Sequence, residues 1–153
     1  MTSVFPVEHP FWFSVVLPAD PRMLFVLRDL SGRIGRQVGC APEDADSFGG
    51  ALVDAVTRAI ERGAPDRRGA RVEVVFRVRL SAFEVAIWLK GNDDHAAAAL
   101  ASLDPEAVWP VEILKKITDR FEISRDPEGS RCSVTRPISA HPRDTDTGRG
   151  ARR

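Results

Sequence analysis

RVEVVFRVRLSAFEVAIWLKG, residues Arg71 to Gly91, is the stretch whose reading decides the fold. In RVEVVFRVRL the even positions Val72, Val74, Phe76, Val78 and Leu80 are apolar, while Arg71, Glu73, Arg77 and Arg79 alternate with them. A period of two sends successive side chains to opposite faces of a strand. FEVAIWLK, residues 83–90, is a second such run, and Ser81 and Ala82 alone separate the two. The pair is predicted to be a tight hairpin, although the turn lacks the Asn-Gly chemistry that such turns favour. One face of this hairpin must cover a core; the other meets water or a partner.

Working outward, FWFSVVL (residues 11–17) is aromatic and β-branched and stops at Pro18, which suits a strand. Ala19-Asp20-Pro21 supplies an Asp N-cap with Pro at the first helical position, and Met23, Leu27, Leu30, Ile34 and Val38 follow at helical spacing until Gly39. A second helix is predicted from about Pro42, with Glu43, Asp44 and Asp46 in its early turns, where the helix dipole favours acids. Its apolar face is Phe48, Leu52, Ala55, Val56, Ala59 and Ile60, and Gly63 ends it. Beyond Gly91, NDDHAAAALASL reads as a short helix capped by an Asp, and Trp109 to Arg120 as a long helix with Ile113, Leu114 and Ile117 inside. FEIS and RCSVTR then make two strands across the turn from Asp126 to Gly129. The predicted order is β-α-α-β-β-α-β-β, an α+β fold in which helices form one layer on a mixed, mainly antiparallel sheet.

At 153 residues the chain suits one domain, expected at residues 11–138 between an N-terminal tail (1–10) and a C-terminal tail (139–153) poor in large apolar residues. Lys and Arg number 22 against 22 Asp and Glu, so net charge selects no partner, and neither nucleic acid nor membrane is expected to bind. No apolar run reaches the length of a membrane span and the N-terminus does not read as a signal peptide, so a cytoplasmic location is expected. Cys40 and Cys132 lie far apart without ligand-spaced companions, which suggests neither a zinc site nor a disulfide. His9, His95 and His141 fall in loops or tails and read as solvated. Trp88 and Trp109 are expected to fill core or pocket, and Trp12 is assigned to the core ahead of an interface.

Pro18-Ala19-Asp20-Pro21 entering a long helix, a second helix holding ALVDAVTRAIERGA (residues 51–64), a hairpin ending LKG, a helix ending ITDR and a closing GSRCSV strand follow one layout. In that order and spacing, over Phe11 to Pro137, the chain resembles the anti-sigma factor serine kinases. These belong to the histidine kinase-like ATPase superfamily, with gyrase, the heat-shock chaperone ATPase, histidine kinases and MutL. The resemblance implies an ATP site and four motif positions for it.

At the first, the family's second helix carries a Glu that acts as general base and, four residues on, an Asn that binds Mg²⁺. Asp54 and Arg58 occupy these positions. Asp is one methylene short for a base that must reach its proton. A guanidinium has five donors, no acceptor and a permanent charge, so it repels a cation that needs oxygen ligands. The pair is instead expected to form an i,i+4 ion pair, worth about 0.3–0.5 kcal/mol on an exposed face. At the second position, an Asp-x-Gly whose carboxylate reads the adenine amino group, Leu89-Lys90-Gly91 keeps the Gly alone. The third, a Gly-x-Gly that lets backbone approach the phosphates, is replaced by Val108-Trp109-Pro110-Val111, with a bulky ring and a residue that has no N–H. Gly129-Ser130 nearly keeps the fourth, a Gly-Thr. Asn92, Asp93 and Asp94 could substitute as polar ligands, but an Asp-rich start before an alanine run is more often a cap.

These replacements lead to an expectation of a pseudo-kinase with no cofactor, or with ATP and Mg²⁺ if the pocket still functions, and with no metal ligand at Arg58. Its expected partners are a sigma factor or an anti-sigma antagonist, with homodimerisation possible. Phe11, Phe13, Arg22 and Arg28 are the candidate contact residues. An active serine kinase with altered ligands and a dimeric module unrelated to sigma factors are the alternatives.

Overall fold

The computed structural model describes residues 10–66, 69–118 and 120–138. The predicted tails, apart from Pro10, lie outside these residues. The chain runs β1 (Phe11–Pro18), a 3-10 turn (Pro21–Met23), α1 (Phe25–Gln37), α2 (Pro42–Gly63), β2 (Ala70–Val78), β3 (Ala82–Gly91), α3 (Asp94–Ala101), α4 (Pro105–Val108), α5 (Val111–Ile117), β4 (Arg120–Asp126) and β5 (Gly129–Pro137). The sheet order is β1-β2-β3-β5-β4. All four pairings are antiparallel, so the expected parallel component is absent among the described residues.

The hairpin forms as predicted, with Val78 opposite Phe83 and the Arg79 N–H donating to the Ala82 carbonyl at 2.8 Å. Its register puts Val72, Val74, Phe76 and Val78 on one face with Phe83, Val85, Ile87 and Leu89, all buried. Leu80 departs from the expectation: the alternation ends at Val78, and Leu80 stands in the turn, exposed. The opposite face is an ion-pair surface. Arg71 Nε lies 2.6 Å and Lys90 Nζ 3.2 Å from the Glu73 carboxylate. Burial opposes the charge on Glu73, but hydrogen bonds from Arg71 and Lys90 outweigh it and hold its carboxyl below the ordinary range.

On the helical side, Asp20 caps the 3-10 turn by accepting from the Arg22 N–H at 3.0 Å, and Gly39 leaves α1 at a φ of 100°. Helix α2 lays Phe48, Leu52, Ala55, Val56, Ala59 and Ile60 into the core, while Ala45 packs against Gly35 of α1. An Arg36–Asp46 ion pair at 2.9 Å joins its start to α1. The long helix expected over Trp109 to Arg120 is confined to α5; Trp109, held extended at φ −91°, ψ 134° ahead of Pro110, separates it from the single turn of α4, and Thr118 ends it. No helix among the described residues is long and apolar enough to cross a membrane.

Two glycines separate packing from propensity. A Cβ on Gly91 would overlap the backbone of Ala96 and Ala97, because α3 lies directly on the end of β3, whereas one on Gly50 meets nothing within 4 Å. Gly91→Ala is expected to lose at least about 1–3 kcal/mol of stability, and Gly50→Ala, inside a helix, to gain roughly 0.5–1 kcal/mol; urea denaturation measures both. The Glu73 carboxylate stabilises the fold above the unfolded Glu pKa, and that contribution is lost as pH falls through its lower folded value. Glu73→Gln is therefore expected to flatten the acid limb of a pH–stability curve.

Candidate functional site

The C-terminal ends of α2 and β3 and the start of β5 converge, and α3 and α4 close over them. A Cβ built on Gly63, the last residue of α2, would stand 3.0 Å from Leu100 Cδ2, 3.2 Å from Leu89 Cδ2 and 3.4 Å from Val108 Cγ1. Three apolar side chains from β3, α3 and α4 thus meet at one point. Glycine at 63 lets them approach.

Trp109 completes this wall. Its side chain is fully buried, and its indole Nε1–H donates to the Ser130 hydroxyl at 3.0 Å. Ser130 is itself buried and pairs across the sheet with Leu89. An unpaired indole N–H or hydroxyl in such a place costs about 1–3 kcal/mol, so each of these two groups satisfies the other. Pro110 is buried behind Trp109 and its carbonyl accepts from Ile113 and Leu114, which starts α5. At the strand ends the Gly91 N–H donates to the Glu128 carbonyl at 3.0 Å, and a Cβ on Gly129 would overlap the Leu89 carbonyl. Gly129 is needed for this close approach of β5 to β3, and Gly91 for that of α3 to the end of β3.

Of the predicted site residues, the fold brings Leu89, Gly91, Trp109, Pro110, Gly129 and Ser130 together around the closed end of the sheet. Asp54 and Arg58 are not part of that wall. They lie on the solvent side of α2, exposed, opposite the face that carries Leu52, Val56, Ala59 and Ile60. The expected Asp54–Arg58 ion pair is not formed: the cross-element pairs are made elsewhere, and both groups face water. Solvation there offers as much as a pair would at an exposed helical face, without the entropy of fixing a long arginine.

The Asn92-Asp93-Asp94 segment is structural. Asp93 Oδ1 accepts from the Ala96 N–H at 2.8 Å as the N-cap of α3, and Arg71 Nη1 reaches Asn92 Oδ1 at 3.3 Å. Among the described residues no group of three or more His, Cys, Asp or Glu side chains could hold a metal ion. Burial pushes the Cys132 thiol up to about 12, so it stays protonated in the core. A hollow of about 300 Å³ lies beside the wall, lined in part by Gly63, Gly69, Asp93, His95 and Leu100; of the residues weighed as substitute ligands, Asp93 alone lines it.

The proposed contact residues divide. Phe11 is half exposed, Phe13 stacks on Phe76 with ring centroids 5.0 Å apart, Arg22 is held by Asp20 at 2.7 Å, and Arg28 is exposed. Trp12, expected in the core, is 67% exposed, because the even positions of β1 face away from the helices.

The family model for the histidine kinase-like ATPase domain matches residues 17–136. The chain belongs to that family, and the antiparallel sheet with its helical layer is the α+β fold expected of it. No curated protein matches the chain.

Two sets of substitutions distinguish the wall from the exposed stripe. Trp109→Phe and Ser130→Ala should each destabilise by about 1–3 kcal/mol by orphaning the other's polar group, and a double-mutant cycle should show them coupled. Asp54→Ala and Arg58→Ala should each stay within about 0.5 kcal/mol of the parent. Chemical denaturation reads all four.

Proposed function

We propose that this chain is a histidine kinase-like ATPase domain that has given up ATP turnover and acts by binding protein. The observation that carries the reading is the buried Trp109–Ser130 hydrogen bond within a wall of Leu89, Leu100 and Val108. By the resemblance, Leu89 stands at the adenine-reading Asp, Val108 and Trp109 fall in the phosphate-approaching Gly-x-Gly, and Ser130 belongs to the closing Gly-Thr.

Mg-ATP does not fit the residues present. Leu89 offers no acceptor for an amino group, and the desolvated amino group would be left unpaired. Pro110 lacks an N–H, and Trp109 fills space that a Gly-x-Gly would leave open. At the metal position Arg58 brings a second positive charge, which no oxygen ligand in its own side chain offsets. These replacements act on the base, the metal, the phosphates and the adenine separately, so reversal of one leaves the other three.

The partner class follows from the resemblance to anti-sigma factor serine kinases. In that family a domain of this layout sequesters a sigma factor and phosphorylates a small antagonist. Sequestration uses surface rather than chemistry, and a fold can keep one without the other. The chain is read as a cytoplasmic pseudo-kinase that binds a sigma factor or its antagonist in transcription regulation.

A second reading is favoured by one observation. Asp54 keeps a carboxylate that is exposed and not engaged by Arg58, as an ATP-dependent serine kinase with altered ligands would need for its base. Calorimetric titration of the full chain with ATP, with and without Mg²⁺, separates the two: the pseudo-kinase gives no heat of binding in either, and Mg-dependent saturation establishes the kinase reading instead. Co-purification from the native cell tests the partner independently. Recovery of neither a sigma factor nor an antagonist would remove that assignment and leave the nucleotide question untouched.

A further inference from the structure

Glu84 lies on β3, on the face of the sheet turned away from the helices, and its side chain is only 16% exposed. Its Oε1 is buried and accepts no hydrogen bond. Arg77 Nη1 and Arg79 Nη2 stand 3.8 and 3.7 Å from that oxygen, near enough to offset its charge and too far to donate to it. Native folds rarely leave a buried acceptor in this state without a function or a ligand to account for it.

Glu84 lines a hollow of about 340 Å³, shared with Arg120, Glu122, Ser133 and Thr135. The register builds it. Glu84, Thr135 and Arg120 form one row across β3, β5 and β4, and Ala86, Ser133 and Glu122 form the next, where two small residues keep the floor low. Ser133 is 4% exposed. Thr118 Oγ1 donates to the Thr135 carbonyl at 2.7 Å, and the hydroxyls of Ser133 and Thr135 are left uncommitted among the described residues. The rim is open in the same way. Arg71 and Glu73, two apart on this face of β2, pair at 2.6 Å, whereas Arg120 and Glu122, at the same spacing on β4, make no ion pair among the described residues.

We propose that this hollow binds a small zwitterion of the α-amino acid class. An ammonium has three donors and no acceptor, and the hollow offers it the Glu84 carboxylate with the hydroxyls of Ser133 and Thr135. Glu122 adds negative charge on the β4 side. The ligand's carboxylate goes to Arg120, whose planar fork matches it. Adjacent strands lie about 4.8 Å apart, so Glu84 and Arg120, two strands apart in one row, leave the backbone about 10 Å from each other. Both side chains reach the hollow between them. That spacing suits two charges held only a few atoms apart, and the volume falls at the small end for ligand sites. The hollow lies across the sheet from the Trp109 wall, and this inference is independent of the nucleotide reading.

Proton–nitrogen correlation spectra of the full chain, titrated with glycine, L-alanine, L-serine and L-glutamate, test it; methylammonium and acetate serve as single-charge probes. Ligands of so few atoms bind in the micromolar to millimolar range. At least one of the amino acids should shift the amides of Glu84, Ser133 and Thr135 saturably, and methylammonium and acetate should each bind at least about tenfold more weakly. Glu84→Gln and Arg120→Ala should each weaken that binding by about tenfold or more. Arg120 is exposed, so its variant should fold as the parent does and carries the test alone where Glu84→Gln does not fold. No saturable shift with any of the four amino acids, which leaves the hollow to water, overturns the proposal. So does binding that survives both substitutions, and so does a response to methylammonium or acetate as strong as that to the amino acids.

Discussion

The hydrogen bond from the Trp109 indole to the Ser130 hydroxyl is the constraint around which one end of this molecule is organised. Two polar groups sit where water does not reach, and each is tolerable there because of the other. The bond fixes the ring, the ring fills the end of the sheet, and Leu89, Leu100 and Val108 close on it above Gly63. Trp109, held extended ahead of Pro110, separates α4 from α5. The backbone turn at this proline is what delivers the indole to the core.

Glycines carry the rest of that arrangement. Gly91 accepts the backbone of α3 against it, and Gly129 accepts the Leu89 carbonyl. By the resemblance, Gly91 and Gly129 are the motif positions that survive, whereas the carboxylate and the amide have been replaced. These two glycines stand where backbone meets backbone inside the fold, whereas the Gly-x-Gly that by the resemblance would meet phosphate is replaced by Trp109 and Pro110 with their neighbours. A chain that bound protein through its surface would need the first and not the second.

The fold was legible because its signals were periodic. The alternation from Val72 to Val78 defined the hairpin and its buried face, the spacing from Phe48 to Ile60 defined the face of α2, and the order of elements defined the class. What was not legible depended on contacts between distant residues. Nothing local says that Trp109 would find Ser130, 21 positions away in the chain. Pro110 was visible, and because the residue before a proline is disfavoured in a helix, the helix predicted from Trp109 should have been started after it. Trp12 reads as core by composition, yet strand parity places it outward, and parity was available from the same alternation. The Asp54–Arg58 spacing permits a pair, but spacing cannot show that water serves both groups equally well.

The proposed function rests on the Trp109 indole staying locked on Ser130, in the space that the family's Gly-x-Gly would leave open by the resemblance. Proton–nitrogen correlation spectroscopy of its side-chain N–H tests this most directly, through its hydrogen exchange and its response to Mg-ATP. The account predicts a resonance that exchanges only with global unfolding and stays fixed as Mg-ATP is added. Exchange on the timescale of local opening, or a saturable shift of that resonance with Mg-ATP, would contradict it.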